Sequence, residues 1–299
     1  MARVVVVTPN PAIDVTYGVS ALTPGETLRV CSVERRPGGK GINVARVLIA
    51  LGHEPVVVLP LGGAPGAWIR AALEELGVAA RVTPIDGLTR TCVTVTAPHG
   101  HPTVLNEPGP AVSRVEWDHL LADTVRLLTD ASMLIVSGSL PGGADDTIIT
   151  ALVTAARDAN VPVLLDVAGG PLLAAARAGA DIIKPNAQEL LEATGAPALA
   201  DAIAVIRAFG VRLVVVSRGI DGIVAADADG RYAVDAIGGV DGNPTGAGDA
   251  ATAGLAAALL DGLPVLDSLS WAAALGAAAV LRPVAGEVDL DAFHRFLTN

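Results

Sequence analysis

Lysine is nearly absent from this sequence. The chain of 299 residues contains only two lysines, Lys40 and Lys184, beside eighteen arginines. This ratio indicates a compositional bias against lysine, yet both remaining lysines lie in glycine- or proline-marked turns close to an asparagine. We therefore treat both as candidates for chemistry, with chance retention as the alternative.

Cysteine, aromatic residues and net positive charge are also scarce. Cys31 and Cys92 are the only cysteines, which argues against a disulfide scaffold and for a reducing compartment, so we expect a cytoplasmic protein. Aromatic residues make up 3% of the chain, so alanine, valine and leucine must fill the core. The net charge of −11 argues against nucleic acid as a partner, because phosphate backbones select basic surfaces.

Long hydrophobic runs are missing as well. The most apolar helical stretch, residues 250–260, is short and bounded by Asp249 and Asp261, whereas a membrane span needs about 20 apolar residues. The first residues lead directly into a strand pattern and lack the cleavage site of a signal peptide. We expect no membrane partner.

Short β-branched runs alternate with alanine-rich helical patterns along the chain. Strands are predicted at residues 4–8, 55–60, 133–137, 163–166, 181–184, 213–217 and 223–226. Helices are predicted at residues 41–51, 67–76, 145–160, 199–209 and 247–260. This alternation predicts an α/β fold with a mainly parallel sheet flanked by helices on both faces, formed as a single domain over residues 1–299.

Two segments interrupt the alternation. Residues 14–33 and 90–106 are strand-like, with turn signals but no helix inside them. They predict a small β-strand lid, which would suit a reaction that must exclude water. His99 and His101 lie at the tip of the second segment between prolines, and we interpret them as a solvated turn rather than a metal pair.

The strongest motif is Asp-Gly-Asn-Pro-Thr-Gly-Ala-Gly-Asp at residues 241–249, directly before a long helical pattern. Gly246 and Gly248 free the backbone to direct several N–H groups at one spot, and the helix N-terminus adds partial positive charge. Asp249 falls in the first helical turn, where we expect the helix dipole to keep it ionised. A carboxylate beside an anion site suits a base in phosphoryl transfer. An ordinary capped helix start is the alternative.

Five motifs in register along the chain resemble the ribokinase-like carbohydrate kinases, specifically the phosphofructokinase-B branch. They are Thr-Pro-Asn-Pro-Ala-Ile-Asp at 8–14, Pro-Gly-Gly-Lys-Gly-Ile-Asn-Val-Ala-Arg at 37–46, Ser-Gly-Ser-Leu-Pro at 137–141, Lys-Pro-Asn-Ala-Gln-Glu at 184–189 and the motif at 241–249. The resemblance implies a ribokinase-like fold and an ATP-dependent kinase with Asp249 as catalytic base, supported by the turn Gly246, Ala247 and Gly248. The Gly-Gly-Lys-Gly turn is not a Walker A loop, because the required Ser or Thr is missing.

The resemblance also implies a substrate site in the first half of the chain. Gly38, Gly39 and Asn43 would meet sugar hydroxyls, as would Asp14, which otherwise reads as a turn residue. A substrate phosphate needs cations, and an arginine fork matches phosphate oxygens. The candidate phosphate and secondary contacts are Lys40, Arg90, Arg29, Ser139 and Asn106.

On the nucleotide side, the resemblance assigns the Asn-x-x-Glu element, Asn186 and Glu189, to support of hydrated Mg²⁺ through Glu189. The same spacing is typical of a helix capping box, which is the alternative. Lys184 would face the nucleotide phosphates. The turn after the strand at 213–217 contributes further candidate ATP contacts at Ser217, Gly219 and Gly222.

The expected reaction is ATP-dependent phosphorylation of a ketohexose phosphate. Fructose 1-phosphate is the first choice, because the Gly-Gly-Lys-Gly-Ile-Asn turn and the Asn-Glu-Pro-Gly-Pro segment at 106–110 most resemble 1-phosphofructokinases. Tagatose 6-phosphate is second and fructose 6-phosphate third, since 6-phosphofructokinases of this branch often carry glycine at the position of Lys40.

The family resemblance also implies a homodimer formed through the lid. Two other classes stay open at this point. A non-catalytic sugar-phosphate sensor would not need to keep Asp249, Glu189 and Lys184. A dinucleotide-dependent dehydrogenase would need a Gly-x-Gly-x-x-Gly turn after the first strand, and that turn is missing.

Overall fold

The protein is described by a computed structural model over residues 1–98 and 102–298. His99 and His101, interpreted above as a solvated turn, lie outside the described residues. A nine-stranded sheet forms the centre of the described structure. Its strands, in spatial order, are β13 (Arg231–Val234), β12 (Ile223–Ala226), β11 (Leu213–Ser217), β10 (Ile182–Ile183), β9 (Val163–Asp166), β8 (Met133–Ser137), β1 (Arg3–Val7), β4 (Glu54–Leu61) and β5 (Ala79–Pro84).

The seven strands from β11 to β5 run parallel, and β12 alone runs in the opposite direction, so that it pairs antiparallel with both β11 and β13. All seven predicted strands are present within one or two residues, and the mainly parallel sheet is confirmed. Because parallel strands end at one edge, Ser137, Asp166 and Ser217 all lie at the same carboxyl edge, where open α/β sheets bind ligands.

Ten helices are present in the described residues. They are α1 (Lys40–Ala50), α2 (Gly63–Glu75), α3 (Arg114–Leu128), α4 (Thr147–Asp158), α5 (Gly170–Ala178), α6 (Ala187–Thr194), α7 (Leu199–Ala208), α8 (Ala247–Leu260), α9 (Val265–Val280) and α10 (Leu290–Thr298). Within residues 1–98 and 102–298, each helix is too short or too polar to cross a membrane.

Two hydrophobic cores cover the two faces of the sheet, as the alternation of side chains along a strand requires. Val4 and Val6 of β1 pack with α1, α2, α8, α9 and α10. Val5 and Val7 point the other way and pack with α3 to α7. The alanine-rich helix α8 is buried on nearly all sides between α1 and α9, so the helix that carries Asp249 is held rigidly.

A separate four-stranded sheet contains the two segments that interrupt the alternation. Its order is β3 (Ser32–Gly38), β2 (Ala12–Gly18), β6 (Arg90–Thr96) and β7 (Thr103–Asn106). The strands extend beyond the predicted segment 14–33, since β2 begins at Ala12 and β3 continues to Gly38. Pro37 is tolerated inside β3 because β3 is an edge strand with one unpaired side.

Candidate active site

A cleft of about 680 Å³ is lined by residues from the carboxyl edge of the large sheet and from the small sheet. The cleft brings together nine of the residues predicted from the sequence, although they are spread over more than 200 positions. These nine are Asp14, Gly39, Lys40, Asn43, Arg90, Asn106, Ser139, Glu189 and Asp249.

The turn before α8 has the geometry of an anion site. Gly246 is the N-cap, in the left-handed region at φ 86°, and a Cβ added there would lie 2.6 Å from the Cβ of Ala285, so only glycine fits. The N–H of Ala247 closes a turn on the carbonyl of Pro244 at 3.2 Å, and the first turn of a helix leaves other N–H groups without helical acceptors. Thr245 and Asp249, on either side of this turn, line the cleft.

The structure corrects the expectation that the helix dipole keeps Asp249 ionised. Burial raises the pKa of Asp249 to about 7, and the nearby carboxylate of Asp166 adds to the rise. The hydrogen bond from Asn43 and the ammonium groups of two lysines oppose it but do not cancel it. Desolvation wins because only 7% of Asp249 is exposed. A carboxyl group that titrates near neutral pH is better matched to proton transfer than a permanently ionised one.

Asn43 holds the Asp249 carboxyl group from the neighbouring helix α1. Its Nδ2 donates to Oδ2 of Asp249 at 2.8 Å, and both side chains are buried. Helix α1 is pressed against the end of β1 at this point, because a Cβ on Gly41 would lie 2.2 Å from Oγ1 of Thr8. Asn43 was predicted to meet a sugar hydroxyl, and in this structure it contacts Asp249 while lining the cleft.

Both lysines of the chain meet one buried carboxylate. Nζ of Lys40 lies 3.3 Å from Oδ1 of Asp166, and Nζ of Lys184 lies 3.6 Å from Oδ2. Asp166 ends β9, Lys184 follows β10, and Lys40 begins α1. Lys40 lines the cleft beside Asp166 and Glu189, and its contact with a substrate phosphate stays a prediction.

Glu189 forms the capping box that was one of its two possible roles, and its support of Mg²⁺ stays a prediction. Its Oε2 accepts from the N–H of Asn186 at 2.9 Å, and the side chain of Asn186 accepts from the N–H of Glu189, which completes a capping box. The other oxygen, Oε1, lies 3.9 Å from Nζ of Lys40, and Glu189 lines the cleft. The cap therefore fixes one oxygen and leaves the other on the cleft side.

The small sheet contributes Asp14 and Arg90 to the cleft. Burial raises the pKa of Asp14 to about 6, although Arg90 and the N–H of Gly39 act to lower it. Gly38 lies against the Asp14 carboxyl group, since an added Cβ would fall 2.1 Å from it. Arg90 is oriented by two backbone carbonyls, donating to Asn10 O at 2.9 Å and to Glu107 O at 2.9 Å. An oriented guanidinium beside a carboxyl group suits an anionic sugar ligand.

Several predicted residues lie outside the cleft. Arg29 is exposed in the segment between β2 and β3. Ser217 lies beside Asn186 through an isolated parallel bridge, further along the same sheet edge. Gly219 is exposed, whereas Gly222 is buried with φ 81°, and a Cβ there would lie 2.1 Å from Val234 O, so its geometry supports the packing of β13.

Sequence reasoning missed two buried polar residues at the site. Asp166 was included in a predicted strand but not as a site residue, although a charged residue that closes an apolar strand at the ligand edge is a usable signal. Asn10 donates to Pro108 O at 3.0 Å, and its own carbonyl orients Arg90. It lies within the opening motif at 8–14, but its contacts depend on tertiary structure.

Known proteins are similar to this chain in sequence and in fold. Residues 2–291 match the model of the pfkB family carbohydrate kinases. The chain is 35% identical to 1-phosphofructokinase of Xanthomonas campestris over 87% of this chain and 85% of that protein. It is 31% identical to ATP-dependent 6-phosphofructokinase isozyme 2 of Mycobacterium tuberculosis over 98% of this chain and 88% of that protein. The crystal structure of phosphofructokinase-2 from Escherichia coli in complex with potassium matches with a TM-score of 0.93 and 26% identity, covering 100% of this chain and 99% of that one.

The chain belongs to the pfkB family of carbohydrate kinases. It is an ATP-dependent sugar kinase with a ribokinase-like fold, and its relatives support a sugar-phosphate kinase. The predicted family, fold class and enzyme class are confirmed.

Proposed function

We propose that this enzyme transfers the γ-phosphoryl group of ATP to a ketohexose phosphate, most favourably fructose 1-phosphate, to give fructose 1,6-bisphosphate. The observation that carries the proposal is Asp249, a buried carboxyl group with a pKa of about 7 at a glycine-lined helix N-terminus. It borders a cleft in which Asp14 and Arg90 can bind the sugar phosphate.

Asp249 acts as the general base in this proposal. A primary hydroxyl of the sugar donates its proton to the carboxylate as the oxygen attacks the γ-phosphorus, and the bond from that phosphorus to the ADP oxygen breaks in line. The amides at the start of α8 would receive the charge of the transferred group, because a helix N-terminus favours anions. Asn43 keeps the carboxylate oriented towards the cleft.

The family implies ATP as cofactor, and we propose that Mg²⁺ accompanies it. Mg²⁺ usually keeps several waters and takes one or two carboxylates together with substrate phosphates. Oε1 of Glu189 fits that pattern, because the capping box uses only the other oxygen. When bound, Mg²⁺ would supply charge neutralisation at the phosphates. Lys184, Asn186, Ser217, Gly219 and Gly222 remain predicted contacts of the nucleotide side.

The proposal also concerns which sugar phosphate the enzyme accepts. A ketohexofuranose has a primary carbon at each end of its ring, so one pocket can accept a phosphate at either end. The relatives support both readings, since one is named a 1-phosphofructokinase and another a 6-phosphofructokinase. The turn around Lys40 favours fructose 1-phosphate, with tagatose 6-phosphate and fructose 6-phosphate as the alternatives.

A substrate panel tests this proposal. The values of kcat/KM with MgATP would be compared for fructose 1-phosphate, tagatose 6-phosphate, fructose 6-phosphate and unphosphorylated fructose. We expect the highest value for fructose 1-phosphate and the lowest for fructose. A higher kcat/KM for another ketohexose phosphate would identify that compound as the substrate instead of fructose 1-phosphate. Equal values for fructose and its phosphates would contradict binding of the substrate phosphate in the cleft. Tight sugar-phosphate binding without ATP turnover would instead indicate a sensor.

We also propose that two copies associate through the small sheet, which would serve as the lid. Apolar side chains are exposed on or beside its edge strands, with Val33 49% and Leu105 58% exposed, and Val30 and Val104 also exposed. Exposed edges of this kind tend to be covered by another chain. Light scattering after size-exclusion chromatography should give a dimer for the native chain and a monomer for Val33→Asp or Leu105→Asp. A native monomer would contradict this association.

A further inference from the structure

Asp166 is a buried carboxylate at the end of β9 with two charged partners. It is 3% exposed, yet it contacts both lysines of the chain, and its Oδ2 also accepts from Oγ1 of Thr252 at 2.8 Å. Thr252 lies three residues beyond Asp249 on α8. The Asp166 carboxylate therefore joins β9, α1, α8 and the segment after β10, next to Lys40, which lines the cleft.

We infer that Asp166 is a positioning residue for phosphoryl transfer, which holds the ammonium group of Lys40 at the cleft and fixes the buried ammonium group of Lys184 on the same carboxylate. This inference rests on the kinase reaction proposed above but not on which ketohexose phosphate is the substrate.

The chemistry of lysine explains why such a residue is needed. A lysine side chain is a point charge on a flexible four-carbon stem, and two ammonium groups brought to one place repel each other. A buried carboxylate between them fixes both positions and offsets the repulsion. The ionised state of Asp166 is itself secured, because Lys184 and Lys40 hold its pKa below the usual range despite burial, which acts to raise it.

The same carboxylate influences the base. Its negative charge raises the pKa of Asp249, and it raises the pKa of Lys40 more than any other group does. The groups that face Asp249 with charge are Asp166, Lys40 and Lys184, and Asn43 faces it with a hydrogen bond. Loss of Asp166 should therefore release the ammonium groups of both lysines and shift the acidic limb of the kcat/KM profile, which depends on the pKa of Asp249.

Asp166→Asn tests this role because it removes the charge and keeps the shape. With saturating MgATP, we expect kcat to fall about 100-fold, as for other groups that organise charge stabilisation, while the KM of the sugar phosphate stays nearly constant because Asp14 and Arg90 are intact. The acidic limb of the kcat/KM profile should move to lower pH. Asp166→Glu should restore part of kcat. An unchanged kcat and an unmoved acidic limb would overturn the inference.

A matched control is available on the protein surface. Asp123 also bridges two basic side chains, with distances of 3.0 Å to Arg81 and 2.7 Å to Arg126, but neither of these arginines lines the cleft. The only effect that we expect of Asp123→Asn is a lower melting temperature. Its kcat and the pH profile of kcat/KM should stay unchanged. An equal loss of kcat in both variants would mean that Asp166 acts only through stability, which contradicts the inference.

A double-mutant cycle with Lys40→Met keeps the test decisive if Asp166→Asn folds poorly, because the double variant loses one charge of each sign. We expect Asp166→Asn to lower kcat much less in the Lys40→Met background than in the native chain. If the single variant Asp166→Asn does not fold, we expect the double variant to have the same kcat as Lys40→Met. Full additivity, or a further large loss in the double variant, would overturn the inference. If the native chain rejects fructose 1-phosphate but phosphorylates another sugar phosphate, the proposed substrate fails, and the cycle is measured with the accepted one.

Discussion

Asn43 on α1 donates a hydrogen bond of 2.8 Å to Asp249 on α8, across 206 positions of sequence. The bond fixes the carboxyl group at the cleft and lowers its pKa, against the burial that raises it to about 7. A side chain from another helix therefore orients the proposed base and partly offsets the effect of its burial on the pKa.

Removal of this bond should change the pH dependence of the reaction. In Asn43→Ala the ionised form of Asp249 loses a hydrogen bond, so we expect the acidic limb of the kcat/KM profile to move up by about one pH unit. Initial rates between pH 5.5 and 9 would measure the shift. A limb that stays in place or moves to lower pH would show that Asn43 does not tune Asp249.

The raised pKa of Asp249 predicts a cost in stability. The folded chain keeps the Asp249 proton up to about pH 7, while the unfolded chain releases it near the ordinary value of 3.8. The contribution of this group to folding therefore falls as pH rises from about 4 to 7. Asp249→Asn lacks this penalty and should be more stable than the native chain at pH 8, by at most about 4 kcal/mol. Urea unfolding at pH 4.5 and pH 8 checks this, and a pH-independent difference would contradict it.

Arg90 should affect the sugar phosphate and not the nucleotide. Arg90→Ala removes the proposed hydrogen bonds between the guanidinium group and the sugar phosphate. It should therefore raise the KM of the sugar phosphate about 10- to 100-fold, with a much smaller change in the KM of ATP. Arg90→Lys should recover little, because lysine lacks the planar fork. Arg81→Ala is the control, since Arg81 pairs with Asp123 outside the cleft. Equal effects on both KM values would count against the assignment.

Gly38 should be intolerant of a side chain. The Cβ of Gly38→Ala would fall 2.1 Å from the carboxyl group of Asp14, so the group must move away from its position in the cleft. We expect the KM of the sugar phosphate to rise about tenfold or more. Gly230→Ala is the matched control, because a Cβ there meets nothing within 4 Å. Unchanged kinetics in Gly38→Ala would remove Asp14 from the sugar site.

Most of the large sheet was predictable because β-branched runs such as β1 and β8 have no competing interpretation. Helix α3 was missed because its many polar residues weaken the helical periodicity, and α6 was missed because it has only eight residues. Strand β5 was missed since most of it is exposed and it lacks a continuous apolar run. The end of β3 was read as a turn, because the sequence does not reveal that this strand lies at an edge where proline is allowed.

Sequence motifs predicted the part of the site that they contain. The part that depends on tertiary packing was not predicted. The glycines around Asp249 and Lys40 are visible in sequence, so both turns were found. The burial of Asp249 was not visible, because it results from packing of α1 and α8 and from the position of Asp166. For the same reason, the dipole argument did not anticipate the raised pKa of Asp249.

The most direct test of the account is the turnover of Asp249→Asn with MgATP and the sugar phosphate that the native enzyme prefers. Loss of a general base should lower kcat by about 10³-fold, while calorimetry should still detect sugar-phosphate binding through Asp14 and Arg90. Near-normal turnover in this variant would contradict the assignment of Asp249 as the catalytic base.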